Sequence, residues 1–398
     1  MAALEDADDV VVVGTGLAGL NAVEGLRRQG FPGRLTLLGE ERLHPYDRPP
    51  LSKQVLQGSS TGPAYLRAPS DYPELAVDLR LGRRAARLDT GSREVHLDDG
   101  AVLPYDAVVL ATGAAPRRLP GAEGLRGVHV LRTFDDGISL HDAISTAGSL
   151  VVVGGGPLGL EAAASARMNG ARVDLVERLD GPMVSVLGPR LAAAVTALHA
   201  DAGVRLHLAT GVADLLGTAR VEGLSLADGT ILEARVVLLA LGVVPSTSWL
   251  DGSGVELLPD GAISCDPTGR TSVPGVWAVG DAAAWQDETG RHRRIEHWSS
   301  AADQAAIVVG ELSGAPVPRG VPYFWSEQYS STLQAVGEVG PHTEVEVHPL
   351  GDGLVALHAE QDRLLGVVTL NARRQVGRAR KLLRAGASLA EAREVLLR

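Results

Sequence analysis

Val10-Val-Val-Val13-Gly14-Thr-Gly16-Leu-Ala-Gly19 returns later in the chain as Leu150-Val-Val-Val153-Gly154-Gly-Gly156-Pro-Leu-Gly159. In each stretch a short apolar run reads as a buried strand that delivers a glycine turn to the start of a helix. Bare backbone N–H groups at such a helix start can hold a pyrophosphate. An acid follows the next strand in both cases. Glu40 comes after Arg34-Leu-Thr-Leu-Leu-Gly39 and Glu177 after Arg172-Val-Asp-Leu-Val176, each placed to accept hydrogen bonds from an adenosine ribose. One such motif is a weak signal. Two complete copies in one chain imply two bound dinucleotides and transfer of electrons between them.

The duplication extends beyond the glycine turns. Asp99-Gly-Ala-Val-Leu-Pro-Tyr-Asp-Ala-Val-Val-Leu-Ala-Thr-Gly-Ala-Ala-Pro116 matches Asp228-Gly-Thr-Ile-Leu-Glu-Ala-Arg-Val-Val-Leu-Leu-Ala-Leu-Gly-Val-Val-Pro245 at an offset of 129 positions. The glycine turns are offset by 140, so the first copy carries 11 extra residues, assigned to the proline-rich segment Leu43–Tyr72. Each copy reads as βαβ, a strand-rich excursion, and a last buried strand ending in glycine. The expected fold class is α/β, with two related doubly wound dinucleotide-binding domains of the glutathione-reductase type followed by a small α+β domain. The expected divisions are 1–113 and 243–321 for the first domain, 114–242 for the second and 322–398 for the last. Gly275-Val-Trp-Ala-Val-Gly280-Asp281 reads as a strand leading into an alanine-rich helix, and the stretch from Arg293 to Gln304 as a loop entering a helix capped by Ser299 or Ser300. Beyond Pro322 the alternating pattern predicts strands at Leu333–Glu338, Thr343–His348, Leu354–Ala359 and Leu364–Thr369, then one basic helix.

Composition narrows the chemistry. A chain of 398 residues with 45% hydrophobic and 21% charged residues is expected to form two or three globular domains. No run approaches the roughly 18 apolar residues of a membrane helix. The N-terminal segment is acidic rather than basic as in a signal peptide, so a cytoplasmic location without membrane attachment is expected. The net charge of −11 argues against general nucleic-acid binding. Cys265 is the only cysteine, which excludes an internal disulfide and any CxxC or CxxxxC relay. The 11 histidines show no metal-binding spacing, so no metal is assigned. From Arg373 onward eight basic residues face Glu391 and Glu394, which reads either as a solvated helix or as a docking face for an acidic partner.

A few residues stand out as carriers of chemistry. Only Lys53 and Lys381 are lysines among 37 basic residues, so a lysine within Tyr46-Asp-Arg-Pro-Pro-Leu-Ser-Lys53 is a marked choice. A compact ammonium could sit beside a flavin N5 where a guanidinium would not fit; a plain surface lysine is the alternative. Glu161 follows the second glycine turn, either to match a helix dipole or to pair with Lys53. Asp281 could accept hydrogen bonds from ligand hydroxyls or serve as a helix cap. A helix start near Glu296-His297-Trp298 could stabilise the anion of a reduced flavin ring. Tyr323-Phe-Trp325 and Tyr329 either pack a core or cover a flavin edge and present a partner-facing surface.

Together these segments resemble the FAD-dependent NADH:ferredoxin reductases, the family of biphenyl dioxygenase reductase and putidaredoxin reductase, with the apoptosis-inducing factor a more distant relative. The resemblance spans essentially the whole chain. Its most discriminating markers are Pro45-Tyr-Asp-Arg-Pro-Pro-Leu-Ser-Lys53 and Pro322-Tyr-Phe-Trp-Ser-Glu-Gln-Tyr329, beside Ala111-Thr-Gly113, Leu131-Arg-Thr133, Gly280-Asp281 and Glu296-His-Trp298. It implies FAD contacts from Gly14, Gly16, Leu17, Ala18, Glu40, Arg48, Lys53 and Ala85. It implies further FAD contacts from Ala111, Thr112, Gly113, Arg132, Gly280, Asp281, His297 and Trp298. NADH contacts are implied for Gly154, Gly156, Leu158, Glu161, Glu177 and Gly242, and a catalytic lysine–glutamate pair for Lys53 and Glu161.

Three departures are visible. Ser185, in Pro182-Met-Val-Ser185, stands where relatives carry a phosphate-clamping arginine; Arg178 could substitute and also leaves NADPH open; and Glu327 stands where aspartate is common. The implied function is electron transfer from NADH through FAD to a small ferredoxin, of the 2Fe–2S type, serving a Rieske dioxygenase or haem monooxygenase. Without a thiol pair, electrons leave the flavin singly. An NADH-sensing or partner-binding flavoprotein, a rubredoxin reductase and an NADH oxidase are the alternatives. The expected docking cations are Arg83, Arg84, Arg291, Arg293 and Arg294, ahead of the terminal helix. The sequence leaves open which ferredoxin is served, NADH against NADPH, and monomer against dimer.

Overall fold

A computed structural model of the chain describes residues 9–341 and 343–398; the acidic segment before Asp9 and His342 lie outside the described residues. Two compact units emerge, one running to Asp47 and continuing through Pro63–Ala115 and Val243–Gly320, the other made of Arg48–Gly62, Pro116–Gly242 and Val321–Arg398.

The first unit is built on a five-stranded sheet in the order Val276–Ala278, Ala107–Leu110, Asp9–Val13, Arg34–Gly39, Val77–Leu81. All its pairings are parallel. Parallel strands lie between covering layers, so they read as unbroken apolar runs, and Val10 to Val13 are accordingly all buried. The helix Leu17–Arg28 turns Ala18, Leu20, Ala22, Val23 and Leu26 inward and packs on the helix Trp298–Ser313. Gly25 allows that approach, because a Cβ there would stand 2.9 Å from Val309 Cγ2. The strand-rich excursion is a three-stranded antiparallel sheet, Ala85–Asp89, Glu94–Leu97 and Val102–Pro104.

Two local expectations fail in this unit. Ala283–Gln286 is a strand, paired with Ile263–Cys265 and His292–Arg293, and not the start of an alanine-rich helix. Its residues Ala283, Ala284 and Trp285 are buried, and pairing in the core outweighs alanine's helix preference. The helix expected from Ser299 or Ser300 begins at Trp298 with His297 at the N-cap and no side-chain cap.

The second unit repeats the parallel arrangement in the order Arg205–His207, Arg172–Val176, Ser149–Val153, Val237–Leu239, Val128–His129. Its excursion is Val212–Leu216, Gly223–Leu226 and Ile231–Glu233. The C-terminal region forms a five-stranded antiparallel sheet ordered Tyr323–Gln328, Ser331–Gly337, Arg363–Leu370, Gly353–Glu360, Glu344–Leu350. The four strands read from the alternation are present, and Tyr323–Gln328 is a fifth. Two helices close the chain, not one. Arg374–Arg384 ends before Gly386 at φ +65°, and Ser388 with Glu391 forms the capping box of Leu389–Leu396. The helix Pro157–Met168 touches both the strand Tyr323–Gln328 and a π-helical turn at Leu51–Val55. Both units are thus α/β with Rossmann-like strand–turn–helix regions, the second carrying a C-terminal domain. Among the described residues no helix is long and apolar enough to cross a membrane.

Candidate functional site

The two glycine turns have the same internal division of labour. Gly14 sits at φ +123° and Gly154 at φ +110°, and a Cβ would lie 2.0 Å from the Ala111 carbonyl oxygen in the first and 2.3 Å from that of Ala240 in the second. Gly19 and Gly159 let the helix close onto the turn, their Cβ positions falling 1.9 and 2.1 Å from the Gly14 and Gly154 oxygens. Gly16 and Gly156 meet nothing within 4 Å; each is the N-cap of its helix and supplies no capping side chain. Open space above uncapped amides, at the positive end of a helix dipole, fits a pyrophosphate. Leu17 and Ala18 form the first turn above that space in the first unit. In the second unit Leu158 is exposed in the corresponding turn. Beside the first turn, the Thr112 hydroxyl donates to the Ser246 carbonyl at 2.9 Å and Gly113 accepts from Ser246 N–H at 3.0 Å. Ala85 is buried at the start of the excursion. Gly242 adopts φ +80° and accepts from Arg117 N–H at 2.9 Å.

The two acids are not equivalent. Val13 pairs with Leu38, whereas Val153 pairs with Val176. Glu177 therefore occupies the register of Gly39, and Glu40 that of Arg178. Glu177 folds back on the glycine turn, accepting from Gly155 N–H at 2.7 Å and Leu179 N–H at 2.8 Å. Glu40, Arg178 and Ser185 are exposed.

Lys53 and Glu161 meet. The Lys53 Nζ lies 2.9 Å from Glu161 Oε2, with the two residues 8% and 7% exposed. A buried ion pair survives only when its remaining hydrogen-bonding capacity is filled. Here the carboxylate accepts from Lys53, from the Ser52 hydroxyl at 2.5 Å, from the Ser326 hydroxyl at 2.8 Å and from Glu327 N–H at 3.2 Å. Lys53 also donates to the Pro49 carbonyl at 3.2 Å. Glu161 lies beyond the first turn of its helix, so the dipole does not account for it. The sequence reading missed Ser52 and Ser326 as partners, although both lie inside the two most discriminating segments. Close by, Arg48 donates to the Arg132 carbonyl, while Arg132 N–H donates to Asp136 Oδ2 at 3.0 Å next to the Thr133 capping box.

In the first unit, Gly280–Ala282 is a single 3-10 turn with Val279 at its N-cap and no side-chain cap, so Asp281 lies within the turn and does not cap it. Gly280 N–H donates to the buried Gln304 Oε1 at 2.7 Å. Burial pushes the His297 imidazole below its usual pKa, with the Asp281 charge opposing that shift. Trp298 is 40% exposed and donates from its indole N–H to Asp47 Oδ1 at 2.7 Å. Cys265 is buried and burial pushes its thiol pKa up, which leaves it inert as a redox group. In the C-terminal domain Tyr323 and Trp325 stack at 5.8 Å, with Arg380 4.5 Å above Tyr323.

Residues 8–305 match the Pyridine nucleotide-disulphide oxidoreductase family and residues 323–395 match the Reductase C-terminal family. The chlorobenzene dioxygenase ferredoxin reductase component of Cupriavidus sp. (strain PS12) is 38% identical over 97% of this chain and 95% of its own length. The reductase in a covalent putidaredoxin reductase–putidaredoxin complex superposes with a TM-score of 0.91 at 32% identity, covering 95% of this chain and 93% of that one. The ferredoxin reductase for the CYP199A2 system from Rhodopseudomonas palustris gives 0.91 at 31%, covering 96% of both. The chain belongs to the FAD-dependent NADH:ferredoxin reductase family, within the pyridine nucleotide-disulphide oxidoreductases.

Proposed function

We propose that this protein passes electrons from NADH through bound FAD to a 2Fe–2S ferredoxin serving a dioxygenase or monooxygenase system. The observation that carries the reading is the buried Lys53–Glu161 pair, its carboxylate accepting four hydrogen bonds, in a chain with two dinucleotide-type turns and a single inert cysteine. FAD, when bound, would supply the chemistry, that is, hydride acceptance from NADH and one-electron release. The chain supplies binding, orientation and electrostatics. Gly14, Gly16, Glu40, Ala111, Asp281 and Trp298 are assigned to FAD, with Arg48, Lys53 and Arg132. Gly154, Gly156, Leu158, Glu177 and Gly242 are assigned to NADH. Lys53 fixes a positive charge that tunes the flavin, and Glu161 holds Lys53 in place. The same reading takes both dinucleotide regions as doubly wound domains of the glutathione-reductase type, divided at 113, 242 and 321, in a cytoplasmic protein.

Most of the arginines first considered for ferredoxin docking already engage acids. Arg83 lies 3.1 Å from Asp99, Arg293 3.2 Å from Asp287, Arg291 3.6 Å from Asp287, and Arg294 2.5 Å from Glu296. Arg374, Arg378, Lys381 and Arg384 line the basic helix Arg374–Arg384, the first of the two closing helices, and are exposed, which moves that helix ahead of those arginines as the docking candidate.

Anaerobic mixing with NADH, followed by addition of a 2Fe–2S ferredoxin, tests the function. Rapid loss of flavin absorbance, then prompt recovery as the ferredoxin is reduced, is the expected result. A persistent charge-transfer band with little recovery would reject it in favour of an NADH sensor.

Glu177 sets the preference for NADH in this reading, because its fixed carboxylate repels a 2′-phosphate. Glu177→Ala is expected to raise KM for NADH about tenfold, the equivalent of roughly one charge-assisted hydrogen bond, and to narrow the NADH/NADPH ratio because Arg178 remains. An unchanged ratio of kcat/KM values would remove Glu177 from cofactor selection.

A further inference from the structure

We propose that Gln328 and His199 are positioning residues that hold Ser326 as a donor to Glu161, a role that rests on the reading of the Lys53–Glu161 pair given above. A continuous line of hydrogen bonds leads inward from Tyr329. The Tyr329 hydroxyl lies 3.0 Å from His199 Nδ1, His199 Nε2 lies 2.9 Å from Gln328 Oε1, and Gln328 Nε2 donates to Ser326 Oγ at 3.1 Å. Ser326 then donates to Glu161 Oε1 at 2.8 Å. His199 and Ser326 are wholly buried and Gln328 is nearly so.

This line has two self-consistent proton arrangements. In one, Tyr329 donates to Nδ1, His199 carries its proton on Nε2, the Gln328 amide nitrogen donates to Ser326, and the Ser326 proton goes to Glu161. In the other every step is reversed: Nδ1–H donates to Tyr329, Nε2 accepts from the Gln328 amide, and Ser326 turns its proton onto the Gln328 oxygen, leaving Glu161 one donor short. A bond ending on a carboxylate is stronger than one ending on a neutral oxygen, so Glu161 selects the inward arrangement, and the line in return fixes the Ser326 hydroxyl. Burial keeps His199 neutral by pushing its pKa down, so the ring has a single proton to place. Burial also pushes the Tyr329 hydroxyl up to about 12, so that it stays protonated and able to donate.

Tyr329 adds an independent pointer. It occupies φ +57° in the two-residue turn between strands paired at Gln328 and Ser331. Such turns ordinarily take asparagine or glycine, whereas here the ring is edge-on to His199 at 5.2 Å.

The test combines kinetics with a spectroscopic signature. Gln328→Glu keeps the shape, but its carboxylate accepts from both His199 and Ser326 and so withdraws the Ser326 proton from Glu161. Flavin-loaded Gln328→Glu and Ser326→Ala proteins are each expected to be reduced by NADH about tenfold more slowly, with a shifted flavin midpoint potential, and the double variant no more slowly than Ser326→Ala alone. Tyr329→Phe, which leaves the packing in place, should move both readouts in the same direction by less. Nitrogen-15 NMR of the wild-type His199 ring should report the Nε2–H tautomer; the Nδ1–H tautomer would overturn the proposal. Normal rate and potential in Gln328→Glu and Ser326→Ala, beside a slowed Lys53→Ala, would also overturn it. Full speed in all three would remove the ion pair itself from the mechanism, and the positioning role with it.

Discussion

Lys53→Ala is expected to retain FAD yet to slow its reduction by NADH about a hundredfold, the scale seen when one fixed electrostatic group is removed from a reacting centre. The same change should lower stability by about 3 kcal/mol, because it strands a buried carboxylate without its counter-charge. Both residues are almost fully buried, so solvent offers Glu161 little relief. The remaining donors, Ser52, Ser326 and Glu327 N–H, keep the carboxylate hydrogen-bonded and hold the expected loss to the lower end of the roughly 3–5 kcal/mol typical of a broken buried pair. The double variant Lys53→Met with Glu161→Gln separates the two effects. Removing both charges should return most of the stability while the rate stays low. Denaturant unfolding and rapid-mixing kinetics on the same samples read both quantities. A Lys53→Ala protein reduced at the wild-type rate would show that the pair is only structural.

The second large effect is expected at Gly14. An alanine there would need φ +123°, a conformation L-residues rarely adopt, and its Cβ would fall 2.0 Å from the Ala111 carbonyl oxygen. Relief requires the backbone after Ala107–Leu110 to move away from the turn. Gly14→Ala is therefore expected to lose flavin on purification and to cost more than about 3 kcal/mol, strain and clash acting together. Gly16→Ala is the informative control. Gly16 has an ordinary φ of −79° and its Cβ would meet nothing within 4 Å, so the fold should stand while flavin is lost to occupation of the phosphate space. Gly154→Ala carries the Gly14 defect to the second turn and should abolish NADH binding with flavin retained. Flavin absorbance and NADH titration separate the three. Retention of normal flavin by Gly16→Ala would mean that the space above that helix start is not where the phosphates lie.

The parts of this protein legible in its sequence are those in which local chemistry fixes local shape. A buried parallel strand has to be apolar throughout, and a turn that brings backbone against backbone has to be glycine, so Val10–Gly19 and Leu150–Gly159 declare themselves. Tyr323–Gln328 did not, because its aromatic start reads as a cluster and its alternation is shallow. Ala283–Gln286 misled for the opposite reason, since its alanines favour a helix in isolation and only burial between two other strands overrides them. The pairing of Lys53 with Glu161 came from resemblance and not from periodicity. Ser326 reaches Glu161 across 165 positions of sequence, a separation at which no spacing rule operates. The line through Gln328, His199 and Tyr329 was invisible for the same reason.

The discontinuity of the first unit has a consequence for how the protein is made. Its parallel sheet receives the edge strand Val276–Ala278 only after the whole of 116–242 has left the ribosome. The second parallel sheet draws all five strands from that one intervening stretch. At roughly 5–20 residues per second, the later-starting sheet is complete in strands while in the earlier one Ala107–Leu110, paired with Asp9–Val13 on one side, still lacks Val276–Ala278 on the other and exposes an apolar edge. The nascent chain thus passes through an interval in which the first sheet presents an unfilled apolar edge while the second already has all its strands.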